Sequence, residues 1–178
     1  MARTEIRFAG FGGQGILFAG ITLGRAACLY AGKNATQTQS YGSEARGGAS
    51  RCDVVIDDDK EVDFPGVAVP DIFVALSQEA YDKLAGGTKK GGKLFYDPAL
   101  VKVREIEGVT QKAVEATKTA MDDLEDKLVA NVVMLGAMVS ATGVISMDPL
   151  KKCFQETTPA RRLETNLKAL DAGAELVK

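Results

Sequence analysis

Residues 10–15 read GFGGQG, and how this stretch is read decides the fold. Its glycines fall as Gly10-x-Gly12-x-x-Gly15, the spacing of a dinucleotide-binding turn. The five residues before it, 5–9, are strand formers, EIRFA. The residues after it, 14–31, are apolar around almost the whole helical cylinder, from Ile16 and Leu17 to Leu29. A strand, a tight glycine turn and a buried helix are therefore expected in that order. Glycine permits positive φ and close approach of other atoms. The first N–H groups of the helix would face outward as a partial positive charge suited to an anion.

A dinucleotide site needs one more feature. An acidic residue about 20 positions on should meet the ribose at the end of the second strand. Here that region reads NATQTQSYG, and the nearest acid is Glu44, inside a second glycine-rich stretch. The fingerprint alone does not make a nicotinamide or flavin site. A free-standing module binding NAD, FAD or ATP is the alternative reading.

Outward from the turn, residues 34–39 read as a polar strand and 40–48, SYGSEARGG, as an irregular loop. Strands are expected at 49–56, 71–76 and 93–96, with another within 109–116. The run DIFVAL at 71–76 is continuously apolar, as in a central parallel strand. Ser77 is placed to cap a helix, and Gly32 to end the first one. Gly20 and Gly24, one turn apart, are expected to admit another backbone. Residues 131–142, NVVMLGAMVSAT, form an apolar helix, read either as core or as a face buried by a partner chain. Asp148-Pro149 opens a further helix, and a last amphipathic one runs from about residue 159. Alternating strands and helices predict an α/β, Rossmann-like layered domain with a mostly parallel sheet plus additional strands. Residues 1–178 read as a single domain.

Composition removes several function classes. With 22 Lys and Arg against 24 Asp and Glu there is no basic surplus, which argues against nucleic acid and anionic membrane as partners. No apolar run reaches the ~20 residues of a membrane span, and the N-terminal residues enter a strand pattern directly, so the cytoplasm is expected. There is no histidine, hence no imidazole base or ligand. Cys28, Cys52 and Cys153 are scattered, with no C-x-x-C spacing for iron–sulfur or zinc, and are expected as free, mostly buried thiols. No catalytic residue and no metal ligand is assigned.

The loops after the first two strands of a doubly wound sheet share its carboxyl edge. That places Ser40, Tyr41, Ser43, Glu44 and Arg46 beside Gln14. Arg46 carries a planar five-donor fork with Gly47 and Gly48 next to it, which suits a phosphate or carboxylate. The plain alternative is a solvated loop in which Glu44 and Arg46 pair with each other. The binding rim expected from this reading comprises Gly12, Gly13, Gln14, Gly15, Ser40, Tyr41, Glu44, Arg46, Gly47 and Gly48.

Taken together, GFGGQGI at 10–16, QTQSYGSEARGGASRCDVVI at 37–56 and the LGA element within 131–137 resemble the gamma subunit of 2-oxoacid:ferredoxin oxidoreductases, most of all the 2-oxoglutarate type. The resemblance covers most of the chain, to at least Gly143. It implies the fold of the gamma domain of pyruvate:ferredoxin oxidoreductase. It further implies a complex that oxidatively decarboxylates a 2-oxoacid, joins the acyl group to coenzyme A and reduces ferredoxin. Thiamine diphosphate with magnesium is then expected on alpha and beta partners, and 4Fe-4S clusters on beta or a delta subunit. This chain would bind no cofactor alone, would be inactive alone, and would supply assembly surface and an anion-facing corner.

Overall fold

A computed structural model describes residues 3–41 and 48–178. The chain opens with β1 (Arg3–Phe11), α1 (Ile16–Tyr30), β2 (Asn34–Tyr41) and β3 (Ala49–Asp57). It continues through β4 (Ile72–Ala75), α2 (Gln78–Leu84), β5 (Lys93–Tyr96) and β6 (Thr110–Ala113). Four helices follow: α3 (Ala116–Lys118), α4 (Ala130–Thr142), α5 (Met147–Thr157) and α6 (Ala160–Glu175). A π-helical turn (Thr119–Asp123) and a 3-10 turn (Lys127–Val129) lead from α3 into α4.

The described strands form one sheet in the order β2-β3-β1-β4-β5-β6. β1, β4, β5 and β6 run parallel, while β3 is antiparallel to both its neighbours. The sheet is thus mostly parallel with additional strands, as expected. The departure from double winding is the β2–β3 pair, which enters as a ribbon so that β3, not β2, lies beside β1.

Strand alternation divides the core into two layers. Ile6, Phe8, Cys52, Val54, Ile72 and Val74 point into the larger one, with buried residues of α1, α4, α5 and α6. Ala9, Phe73, Ala75 and Leu94 point to the other side, against Tyr81, Ala85 and Val101. So α1 covers one face and α2 the opposite one. The chain changes sides between β1 and β4, which makes their carboxyl ends the crevice where α/β folds place ligands.

Several expectations shift in detail. Residues 40 and 41 are not loop but the end of β2, paired with Arg51 and Ser50, because the antiparallel ladder with β3 continues through them. The helix after the glycines starts at Ile16, not at residue 14. Gly20 admits no other backbone: a Cβ there would run into Cys52 of the sheet, and at Gly24 it would only brush Val54 at 4.0 Å. Close backbone approach occurs instead between α4 and α6. A Cβ on Gly136 would strike the Leu170 carbonyl, and one on Gly173 the Val133 carbonyl. α4 is buried from Asn131 to Val139 within this chain, so it is core and not a partner face. Ser77 caps α2, its Oγ accepting from the Ala80 N–H at 3.2 Å, and Gly32 sits at φ +65° just past α1. Cys52 and Cys153 are buried, but Cys28 is exposed.

Candidate functional site

The glycine turn joins β1 to α1 by a left-handed residue. Gly15, at φ +74° and ψ +23°, is the N-cap of α1, and its carbonyl accepts the first helical bond, from Ala19 N–H at 3.0 Å. No side chain caps the helix and its first turn holds no acid. The first-turn N–H groups are therefore uncapped at the positive end of the helix dipole, an arrangement that favours an anion. The second loop returns to the first: Gly12 N–H donates to the Gly48 carbonyl at 2.9 Å.

Gln14 fills the crevice between the β1 and β4 ends. Its Oε1 accepts from Phe11 N–H at 2.7 Å, and its Nε2 donates to the Leu76 carbonyl at 2.6 Å. Gly10 is needed beneath it, since a Cβ there would collide with Gln14 Oε1. The side chain thus bridges the two loops at the place where a dinucleotide's pyrophosphate would approach. The strand order works the same way. β3 separates β2 from β1, so a group at the end of β2 stands two strand spacings away, about 10 Å.

Two hollows flank this bridge. On the α2 side lies a groove of about 230 Å³, lined by Phe11, Ser40, Arg51, Ser77, Glu79 and Lys83 among others. Arg51 is held by Asp53, Nε–Oδ2 3.5 Å, and Lys83 by Glu79 at 2.6 Å. On the other side is a crevice of about 280 Å³ that includes Gly13, Gln14, Leu76, Asp97 and Asn131. Asp97 is fully buried there, but its carboxylate is committed to structure: it accepts from Ala99 N–H at 2.9 Å and Thr117 N–H at 2.6 Å.

Gly12, Gly13, Gln14, Gly15 and Gly48 therefore meet at one edge, and Ser40 and Tyr41 end β2 at that same edge. Ser40 and Gln14 line different hollows, however. Glu44, Arg46 and Gly47 lie outside the described residues, as does Ser43. Sequence reasoning missed Arg51, Lys83 and Asn131. Arg51 was legible in principle, because it and Asp53 share one face of β3 by strand alternation. Asn131 was not, since its partner, the Gly15 carbonyl at 3.3 Å, lies 116 residues earlier.

Among the described residues no group of three or more His, Cys, Asp or Glu is placed to hold a metal ion. No described helix is long and apolar enough to cross a membrane. Burial raises the Cys52 thiol to about 12, with the neighbouring Asp53 charge adding to the effect, and burial also raises Cys153.

Fold and site together define a Rossmann-like α/β domain whose glycine-bearing turns meet at one edge of a mostly parallel sheet. Residues 5–176 match the family model described as pyruvate ferredoxin/flavodoxin oxidoreductase. The chain belongs to that family. It is 48% identical over 179 residues to the 2-oxoglutarate synthase subunit KorC of Methanocaldococcus jannaschii, covering 99% of this chain and 95% of that one. Its fold superposes on the gamma subunit of a keto/oxoacid ferredoxin oxidoreductase from Geobacter sulfurreducens with TM-score 0.90 and 41% identity, covering 99% and 97%. It also resembles 2-oxoglutarate:ferredoxin oxidoreductase from Magnetococcus marinus, solved with 2-oxoglutarate, coenzyme A and succinyl-CoA bound. There the TM-score is 0.89 and the identity 28%, and this chain spans 99% of itself but 31% of that longer chain.

Proposed function

We propose that this chain is the gamma subunit of a thiamine-diphosphate-dependent 2-oxoacid:ferredoxin oxidoreductase, with 2-oxoglutarate as the 2-oxoacid. The near full-length 48% identity to a 2-oxoglutarate synthase subunit carries this reading. In the reaction carbon dioxide leaves the 2-oxoacid, the acyl group passes to the sulfur of coenzyme A, and the electron pair goes to ferredoxin. Thiamine diphosphate with magnesium, held by alpha and beta subunits, supplies the carbanion chemistry. The 4Fe-4S clusters belong to beta or, in four-subunit forms, delta. This chain supplies assembly surface and one corner of a composite site.

That corner is built from Gly12, Gly13, Gln14 and Gly15, with Ser40, Tyr41, Glu44, Arg46, Gly47 and Gly48 as its rim. The uncapped start of α1 supports an anion there, and the coenzyme A phosphates are the anion we assign. Arg46 is assigned to those phosphates or to an acidic group of a partner subunit.

The test is reconstitution. The purified chain should show no turnover, and adding alpha and beta subunits should restore 2-oxoglutarate-dependent reduction of a viologen dye. Turnover by the lone chain would overturn the proposal. Arg46→Ala should raise the KM for coenzyme A or weaken assembly while leaving the melting temperature of the lone chain unchanged. Saturable binding of NAD, FAD or ATP to the lone chain by calorimetry would favour a free-standing nucleotide module instead.

A further inference from the structure

The groove on the α2 side of the glycine corner carries a cation that no described residue neutralises. Arg51 and Asp53 point to that face of the sheet, because Cys52 between them points to the other. Asp53 is buried, and Arg7 donates to both of its carboxylate oxygens, so the charges of those two cancel. Arg51 reaches the same carboxylate only at Nε–Oδ2 3.5 Å, longer than a normal hydrogen bond. Glu79 and Lys83, the other charged residues of the lining, pair with each other at 2.6 Å. Among the described residues, the groove therefore keeps one unbalanced positive charge, on Arg51.

The groove is open because the neighbours of Arg51 are small. Its ladder partners are Ala9 on β1 and Ser40 on β2, and Ala80 lines the groove from α2. The Arg51 side chain is 41% exposed, partly sheltered by the sheet yet open to a ligand. A guanidinium has five N–H donors, and with Nε turned to Asp53 the four on its two Nη atoms remain. That edge grips a carboxylate or phosphate through parallel bonds. Ser77 lines the same groove, and its Oγ accepts from the Ala80 N–H, which leaves its own O–H to donate. At about 230 Å³ the groove is below the ~300–1,000 Å³ of pockets for drug-sized ligands, so its occupant is small.

We propose that this groove binds a small oxyanion, an inorganic phosphate or the carboxylate of a short organic acid. Arg51 is its charged ligand, the buried Arg7–Asp53 pair steadies that guanidinium, and the Ser77 hydroxyl is a neutral donor. The site is separate from the crevice beyond Gln14, which Gly13 and Gln14 line and Arg51 does not. It does not rest on the subunit reading and stands or falls without it.

The test is calorimetric titration of the full chain at low ionic strength, where charge is least screened, with phosphate and separately with butyrate. Saturable one-to-one binding of at least one of them is expected. Tighter binding of phosphate assigns the site to an inorganic anion, and tighter binding of butyrate to an organic acid. Arg51→Gln should weaken binding tenfold or more, and Arg51→Lys, which keeps the charge but loses the fork, by less. Ala80→Leu fills the groove without altering its charge and should abolish binding. Lys127→Gln, in the crevice beyond Gln14, should bind as the wild type does. Melting of each variant checks that it is folded, and the two Arg51 variants and Ala80→Leu test the site independently. No saturable binding by the wild type, wild-type affinity in folded Arg51→Gln or Ala80→Leu, or a loss confined to Lys127→Gln would each overturn the proposal.

Discussion

Arg7 and Asp53 stand opposite each other in the β1–β3 ladder, and their side chains close a bidentate ion pair, Nε–Oδ1 2.8 Å and Nη2–Oδ2 2.9 Å. Both side chains are nearly fully buried, and Arg7 also donates to the Val67 carbonyl. The pair sits at the one junction that departs from double winding, so it marks the register of the inserted strand. A one-residue slip would send the two side chains' neighbours to the wrong faces.

Removing one partner is therefore expected to cost more than removing both. Asp53→Ala strands the Arg7 charge and should cost about 3–5 kcal/mol in urea unfolding. Arg7→Met with Asp53→Leu should cost markedly less. Equal losses in the two proteins would show that the pair's charges are solvated.

Gln14 bridges two loops, and Gln14→Ala leaves the Phe11 N–H and the Leu76 carbonyl without their partner. A loss of about 1–3 kcal/mol is expected. Chemical denaturation of the lone chain measures it. A neutral result would mean that water replaces the carboxamide.

Gly173 lets α6 lie against the α4 backbone, and Gly173→Ala would push a methyl into the Val133 carbonyl. Forcing atoms into a packed crossing costs about 1–3 kcal/mol, seen as a melting temperature lower by several degrees. Gly86→Ala, with open space around it, is the control and should melt as the wild type does.

The three thiols should separate by reactivity. Cys28 is exposed, while Cys52 and Cys153 are buried. With its thiol at about 12, Cys52 is ionised in only about one molecule in ten thousand at pH 8. Mass spectrometry after iodoacetamide should find one alkylated residue, Cys28, in the native chain and three in urea. Rapid native labelling of Cys52 would contradict its burial.

Acid should weaken the fold through Asp57. Its carboxyl is held below the usual range by the Asp59 N–H at 3.0 Å and the Lys60 N–H at 2.9 Å. A depressed carboxyl stabilises the fold above its unfolded value of about 4, and that stabilisation disappears as pH falls through the folded value. Asp57→Asn should thus melt below the wild type at pH 7, with the gap closing below about pH 4. A gap that stays constant into acid would show that the carboxylate charge contributes nothing.

Much of the architecture could be read from local chemistry. The glycine turn, the buried helix after it, the apolar strand at β4 and the Ser77 cap all depend on residues close in the chain, where propensity and alternation act directly. The resemblance carried by the two glycine-bearing stretches needed no coordinates either, and the family match over residues 5–176 agrees with it. What only the tertiary structure decided was who lies beside whom. β3 rather than β2 flanks β1, the glycines that meet another backbone belong to α4 and α6 rather than to α1, and Gln14 reaches a carbonyl 62 residues away. Such neighbours are chosen by long-range hydrogen bonds and the packing of whole layers, and a window of sequence holds only one side of each of those bonds.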